Sequence, residues 1–220
     1  VVGFQQYTTS NTIRSYLPHT AIGSDYYANA ATDQDIFYQG YFPGQTAYAE
    51  TRVEASPRAR ILEQGAPGND WQLGQHTVKY NQGFNIANTV RKWNENGLST
   101  GYYAANTVRL IETTDENDHL VRTYTDSRGL TVLKQVEETA GNYLDTYYLY
   151  DRAGRLAHVI PPKAVEVLGT SGTLDVATAG IAELIFSYTY DGRGRPVTQK
   201  VPGAVEKSIV NDQQIGRAHV

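Results

Sequence analysis

The chain has 220 residues, enough for one or two domains, and its net charge of −4 comes from interspersed acidic and basic residues, so no basic stripe points to nucleic acid. It has no Cys, which excludes disulfides and thiolate metal sites, and no run of about 18 apolar residues that could span a membrane. Tyr is frequent (17) against 5 Phe and 2 Trp, and mean hydropathy is −0.47, which together favour strands with one polar rim over an oily helical core.

In chain order, Val1–Tyr7 reads as a strand whose beginning lies upstream, and Thr8 to Pro18 as a polar connection. Residues 21–35 are small and polar, a loop or a weak helix. Ile36-Phe37-Tyr38 and Ala47–Val53 read as short strands around a Pro43-Gly44 turn, with a helix as the alternative for Thr46–Val53. Residues 56–75 carry Pro57, Gly65, Pro67, Gly68, Asn69 and Gly74, which is loop chemistry, and Trp71 is expected to anchor that loop on a strand His76–Tyr80. Residues 81–100 are rich in Asn and Gly, with Val90 and Trp93 as apolar anchors.

From Gly101 the strand pattern strengthens. Tyr103–Glu112 pairs with His119–Thr125 across Thr113 to Asp118, an acidic tip that lacks the Gly and distal Glu of a calcium loop. Leu130–Glu138 and Tyr143–Tyr150 form the next hairpin, with Leu144, Thr146, Tyr148 and Tyr150 on one face and Tyr143, Asp145, Tyr147 and Leu149 on the other. Leu156–Ile160 follows. Pro162 opens a short helix to Leu168, Gly169–Gly172 is flexible, and Asp175 caps a second helix from Val176 to about Leu184. Strands Ile185–Tyr190, Pro196–Val201 and Val205–Val210 complete the pattern around a Pro202-Gly203 turn. The fold class is therefore mainly β, with one or two short helices around 162–184.

A motif recurs in this pattern. Tyr148-Leu149-Tyr150-Asp151-Arg152-Ala153-Gly154-Arg155 returns as Tyr188-Thr189-Tyr190-Asp191-Gly192-Arg193-Gly194-Arg195, and a looser copy runs from Tyr124 through Asp126 and Gly129 to Leu130. Asp at the strand end accepts backbone N–H groups ahead of it, and Gly three residues later supplies a positive φ. Arg155 and Arg195 are placed to pair with a turn Asp or to stack on a Tyr. A lone hairpin is marginal in water, so these must stack on one another. The uneven Asp spacing indicates a loop insertion at about 161–182, and a fourth slot begins at Asn211-Asp212.

No HExxH, GxSxG or Cys nucleophile is present, the five His are scattered singly, and Glu137 and Glu138 lie on opposite strand faces. No catalytic residue, cofactor or metal site is assigned. Gln214 to Val220 reads as the translation of a sequencing adapter, CAG ATC GGA AGA GCA CAC GTC, and is set apart from the fold.

The Y-D-x-x-G-R core at Tyr150 and Tyr190 resembles the RHS/YD-repeat family. Leu62-Glu63-Gln64-Gly65-Ala66-Pro67-Gly68, Trp71-Gln72 and His76-Thr77-Val78-Lys79-Tyr80 resemble the region before the repeats in a bacterial branch of large RHS proteins, as does Ile160-Pro161-Pro162-Lys163-Ala164-Val165 after the second repeat. The resemblance implies residues 1–100 preceding the clear repeats and 101–213 as repeat hairpins. It further implies a secreted or cell-surface protein, a spiralling β-shell, and a C-terminal toxin or effector enclosed or carried by it. The partners implied are the rest of the same polypeptide or, alternatively, cell-surface carbohydrate held by Tyr-rich faces and Trp71. The residues that would define the repeat are Tyr124, Asp126, Gly129, Tyr150, Asp151, Gly154, Arg155, Tyr190, Asp191, Gly194 and Arg195. The first copy departs from the pattern, with Thr125 between Tyr and Asp and Leu130 in the Arg slot.

Overall fold

A computed structural model of the chain describes residues 4–8, 10–18, 20, 28–169, 174–178, 180–211 and 217–219. The protein is mainly β: thirteen strands of open antiparallel sheet, with two short helices. The strands in chain order are β1 (Gln5–Tyr7), β2 (Thr12–Tyr16), β3 (Tyr48–Val53), β4 (Ile61–Gly65), β5 (Val78–Phe84), β6 (Arg91–Trp93), β7 (Ser99–Tyr102), β8 (Arg109–Thr114), β9 (Leu120–Thr125), β10 (Thr131–Thr139), β11 (Asn142–Tyr150), β12 (Leu156–Ile160), β13 (Phe186–Tyr190), β14 (Pro196–Lys200) and β15 (Lys207–Asn211). A further short strand, β16 (Arg217–His219), pairs with β15, while β6 and β7 form a separate hairpin. The helices are α1 (Ala30–Gln39) and α2 (Pro162–Leu168). Asp212, expected to open a fourth repeat slot, lies outside the described residues, as do Val1 to Gly3, residues 21–27, most of the expected flexible stretch 169–172, and 214–216.

The chain divides into two compact units, residues 1–81 with 112–120, and residues 82–111 with 121–220. β5, β8 and β9 supply residues to both.

In the first unit the hydrogen-bonding order is β1-β2-β3-β4-β5. Three expectations are corrected here. The polar connection after residue 8 contains β2, which pairs with β1 on one side and, over all five residues, with β3 on the other. Thr, Arg and Ser give it no apolar run, yet backbone pairing on both edges satisfies its N–H and C=O groups, and that decides its conformation. The loop stretch 56–75 likewise contains β4, where Glu63 is buried and receives Thr77 Oγ1 at 2.7 Å, Gly74 N at 2.8 Å and Arg52 Nη1 at 3.1 Å. Burial opposes the Glu63 charge, but these donors outweigh it and hold the carboxyl below its ordinary range.

The third correction concerns Ile36-Phe37-Tyr38, which lies in α1 rather than in a strand. The helix is fixed by contacts instead of by those three β-favouring residues. Gln34 is fully buried and donates to the Ala47 carbonyl at 2.7 Å, and Tyr38 Oη donates to Pro18 O at 2.6 Å. Helix propagation carries the residues between these anchors, overriding local propensity. Thr46–Val53 takes the strand alternative, as β3.

In the second unit β9 to β15 pair in sequence order. Tyr124, Leu133, Tyr147 and Ile160 face one another in register across β9, β10, β11 and β12, and each is at most 6% exposed. This row is the centre of the core. Tyr147 and Leu149 are both buried, so of the two expected faces of β11 the one carrying Tyr143, Asp145, Tyr147 and Leu149 turns inward.

The segment between β12 and β13 joins this core. α2 begins with Pro162, whose fixed φ suits the first helical turn, and stops at Gly169 with φ 71°. Its Ala164 is fully buried, Val165 and Leu168 pack on the cluster, and Val176, Ile181 and Ile185 are buried within it. The second expected helix does not form. Asp175 Oδ1 accepts Ala177 N at 2.8 Å, and the chain continues in turns. Leu174 O accepts Ser99 N at 2.8 Å and Val176 N donates to Gly97 O at 3.1 Å, so the start of this stretch is held to the β6–β7 hairpin.

Candidate functional site

The Tyr-Asp turns share one hydrogen-bond pattern. Asp126, Asp151 and Asp191 each donate backbone N–H to the carbonyl four residues on, at 2.9 Å, and accept the N–H of the glycine three residues on, at 2.9–3.0 Å. Their Oδ1 atoms receive further backbone N–H groups: Arg128 and Leu130 for Asp126, Arg155 for Asp151, and Arg193 and Arg195 for Asp191. Gly129, Gly154 and Gly194 have φ of 82°, 78° and 81°. Each turn therefore needs an acceptor at its first position and a residue tolerant of positive φ at its fourth.

The carboxylates are also held by arginine. Arg155 Nε lies 2.6 Å from Asp151 Oδ2, and Arg195 Nε lies 2.8 Å from Asp191 Oδ2. In the first copy Leu130 occupies the arginine slot, and Arg128, two residues earlier, pairs with Asp126 at 2.9 Å. The missing arginine is thus replaced from within the same turn. The backbone N–H and then the guanidinium of Arg195 hold the Asp191 carboxyl below its ordinary range. At Asp151 burial works against the charge, but the same two groups of Arg155 prevail.

Successive turns are tied by a second set of contacts. Tyr150 Oη donates to Thr131 O, and Tyr190 Oη donates to Leu156 O, each at 2.9 Å. Thr131 and Leu156 both stand two residues after the preceding turn's glycine, so the two ties have the same register. Arg155 adds another link: its guanidinium lies 4.9 Å from the Tyr190 ring centroid, and Nη1 donates to Asp191 O at 3.1 Å. A Cβ added at Gly154 would meet Leu130 at 3.8 Å, and one added at Gly194 would meet Arg155 at 3.6 Å. Each glycine therefore sits against the residue following the previous turn's glycine. Tyr124 stands apart from this series: it is 6% exposed and serves in the core row, and Thr125 holds the position before Asp126.

Two further turns have the same pattern, one at the acidic hairpin tip expected from sequence and one, at Asn94, that was not singled out. Asp115 accepts Asn117 N and His119 N on Oδ1, both at 2.9 Å, with Asp118 at φ 63° in the glycine place and His119 Nδ1 at 3.1 Å from Oδ2. Asn94 accepts Asn96 N and Leu98 N on Oδ1, both at 2.9 Å, with Gly97 at φ 80°. Asn replaces Asp in one and Asp replaces Gly in the other, so neither shows the D-x-x-G signature.

A second missed feature had a clear signal. Ala-Asn-Thr-Val-Arg occurs at 87–91 and again at 105–109. Asn88 and Asn106 have φ of 61° and 62°, and Thr89 and Thr107 each bond the carbonyl three residues back. Val90 and Val108 are fully buried, and the pairs Tyr103 N to Val90 O and Asn85 N to Val108 O, both 2.9 Å, are reciprocal. Searching the sequence for short exact repeats would have found it.

Trp71 is 44% exposed, in a short turn, with its ring centroid 5.9 Å from that of His76. His158 Nδ1 lies 3.0 Å from Ser187 Oγ, and burial lowers its pKa. Among the described residues no group of three or more His, Asp or Glu could hold a metal ion, and no helix is long and apolar enough to cross a membrane.

Residues 4–84 match the model of a domain of unknown function, DUF6443, a span that ends with the last residue of β5. No curated protein matches the chain.

Proposed function

We propose that this chain is a non-catalytic structural segment of a large secreted or surface protein of the RHS/YD-repeat type. In this reading its hairpins form part of a β-shell that encloses or displays a C-terminal toxin or effector. The observation that carries it is the matched register of the two ties, Tyr150 to Thr131 and Tyr190 to Leu156. The motif's polar groups are spent on one another: Asp on backbone N–H groups and Arg, Tyr on a preceding carbonyl, Arg on Asp and ring. Such groups build a scaffold, and enzymatic activity is assigned to another part of the polypeptide. Protease protection tests this. Expressed together with the coding sequence that follows it, the chain slows cleavage of the downstream segment by about tenfold or more relative to that segment alone. Equal cleavage rates would sink the proposal.

The exposed Trp71 favours a second reading, a module that holds cell-surface carbohydrate on an aromatic platform. Binding on a glycan array that disappears in Trp71→Ala supports it, and an array without signal at high protein concentration removes it.

A further inference from the structure

Asn96-Gly97 is the only Asn-Gly pair in the sequence. In such a pair the glycine backbone nitrogen can attack the asparagine side-chain carbonyl, because no Cβ obstructs its approach. The new bond joins Gly97 N to Asn96 Cγ, the Cγ–Nδ2 bond breaks, and the side-chain nitrogen leaves as ammonia with the glycine amide proton. Water then opens the cyclic imide at either carbonyl, giving aspartate or isoaspartate.

Asn96 is exposed, so water reaches it, but the turn around it opposes the attack. Gly97 N donates to Asn94 O at 3.1 Å, and Asn94 Oδ1 accepts Asn96 N and Leu98 N, both at 2.9 Å. The attacking nitrogen must give up its proton and swing toward Cγ, and both moves break its bond to Asn94 O. The turn is itself held by a segment distant in sequence. Val176 N donates to Gly97 O at 3.1 Å, and Ser99 N donates to Leu174 O at 2.8 Å. A Cβ added at Gly97 would lie 2.0 Å from Val176 Cγ2, and Val176 is buried in the core cluster. Glu95, within the same turn, pairs with Arg152 at 2.6 Å. Gly97 is therefore fixed through its N–H, its carbonyl and its Cα.

We propose that Asn96 is a site of spontaneous deamidation that the clamp of residues 174–176 on Gly97 keeps closed, and that its isoaspartyl product cannot close again. The reaction proceeds when the hairpin tip opens, so its rate follows the population of the open form. Isoaspartate routes the backbone through the side-chain carbonyl and adds a methylene ahead of Gly97. The glycine nitrogen then no longer meets Asn94 O while its carbonyl stays on Val176 N, and the packing against Val176 has no room for the longer chain.

The test follows Asn96 by mass spectrometry in the 220-residue chain, folded or in guanidinium chloride, in mildly alkaline buffer, reading the tryptic peptide that begins at Trp93. Deamidation is expected to be about tenfold or more slower in the folded chain, and equal rates overturn the proposal. Folded Val176→Ala should deamidate about threefold or more faster than the unmodified chain, and an unchanged rate overturns the clamp. Should Val176→Ala fail to fold, low guanidinium on the unmodified chain decides. Deamidation should then rise together with hydrogen exchange at the Val176 amide, and a rise without that exchange overturns the clamp. Chain aged to isoaspartate should melt below an Asn96→Asp chain, which has the same charge on an ordinary backbone. Equal melting temperatures overturn the one-way step.

Discussion

In the turn at Asp115, His119 stands where Arg155 stands in the turn at Asp151, and Asp118 where Gly154 stands. The backbone is the same in both: a first-position N–H to the fourth-following carbonyl, a fourth-position N–H to the first carbonyl, and side-chain oxygen on the N–H groups between. The surroundings differ. The Asp115 pair with His119 is exposed, 41% and 70%, while Arg155 continues from Asp151 to the next turn's tyrosine and carbonyl. A first-position acceptor is sufficient for the turn. The Tyr and Arg of the longer motif are needed for stacking one turn on the next, and mutations should separate the two roles.

The largest effect is expected at Gly97, in the Asn94 turn. A Cβ there would lie 2.0 Å from Val176 Cγ2, and φ is 80°. Gly97→Ala should cost about 2–4 kcal/mol, strain and overpacking together. Adding Val176→Ala should recover part of that loss, so denaturation midpoints that simply add would contradict the contact.

Gly154→Val should cost roughly 1–3 kcal/mol, because a β-branched residue resists φ of 78°. Ala153→Val, one residue away in an exposed position, should change stability by no more than about 0.5 kcal/mol. Equal melting temperatures for the two variants would remove the conformational argument.

Tyr190→Phe deletes only the hydroxyl that reaches Leu156 O, for about 1 kcal/mol. The loss should appear in urea titration, and hydrogen exchange should rise at the amides of β12 and β13. No change at those amides would mean that the hydroxyl does not tie the turns. Asp118→Gly should raise stability by about 0.5–1 kcal/mol, since glycine adopts φ of 63° without strain. A fall in melting temperature would show that the Asp118 side chain has a role of its own.

The smallest effect is in acid. The folded carboxyls of Asp151 and Asp191 lie below their ordinary values, so their contribution is present above the unfolded pKa near 4 and fades as pH falls through the lower folded values. Asp145 runs in the opposite sense: its raised pKa makes the folded chain bind a proton more readily, which favours folding as the pH drops toward 4. In Arg195→Gln the acid-side decline should be shallower than in the unmodified chain. An identical pH profile would mean that the guanidinium does not set the Asp191 charge.

Some of this architecture could be read directly from residue order. α2 was legible because Pro162 and Gly169 mark its ends and nothing distant disputes them. The three D-x-x-G turns were legible because donor, acceptor and positive-φ residue lie within five positions of one another. The turn at Asn94 was not, since Asn96-Gly97 reads as any polar bend until Val176 is seen packed on Gly97. β2 and α1 were misread for the converse reason: their local sequences are weak or contrary, and pairing partners or anchors far along the chain decide them.

Sequence by itself determined the β class, the Tyr-Asp turns and the place of the first helix after β12, because each depends on hydrogen bonds and torsions spanning a few residues. Tertiary structure alone decided that Ala164, Val176, Ile181 and Ile185 become part of the core. It also decided that Arg155 reaches the next turn. Those outcomes depend on surfaces distant in sequence, 36 residues apart for Arg155 and Asp191, where loop closure and packing set the geometry and local preference does not.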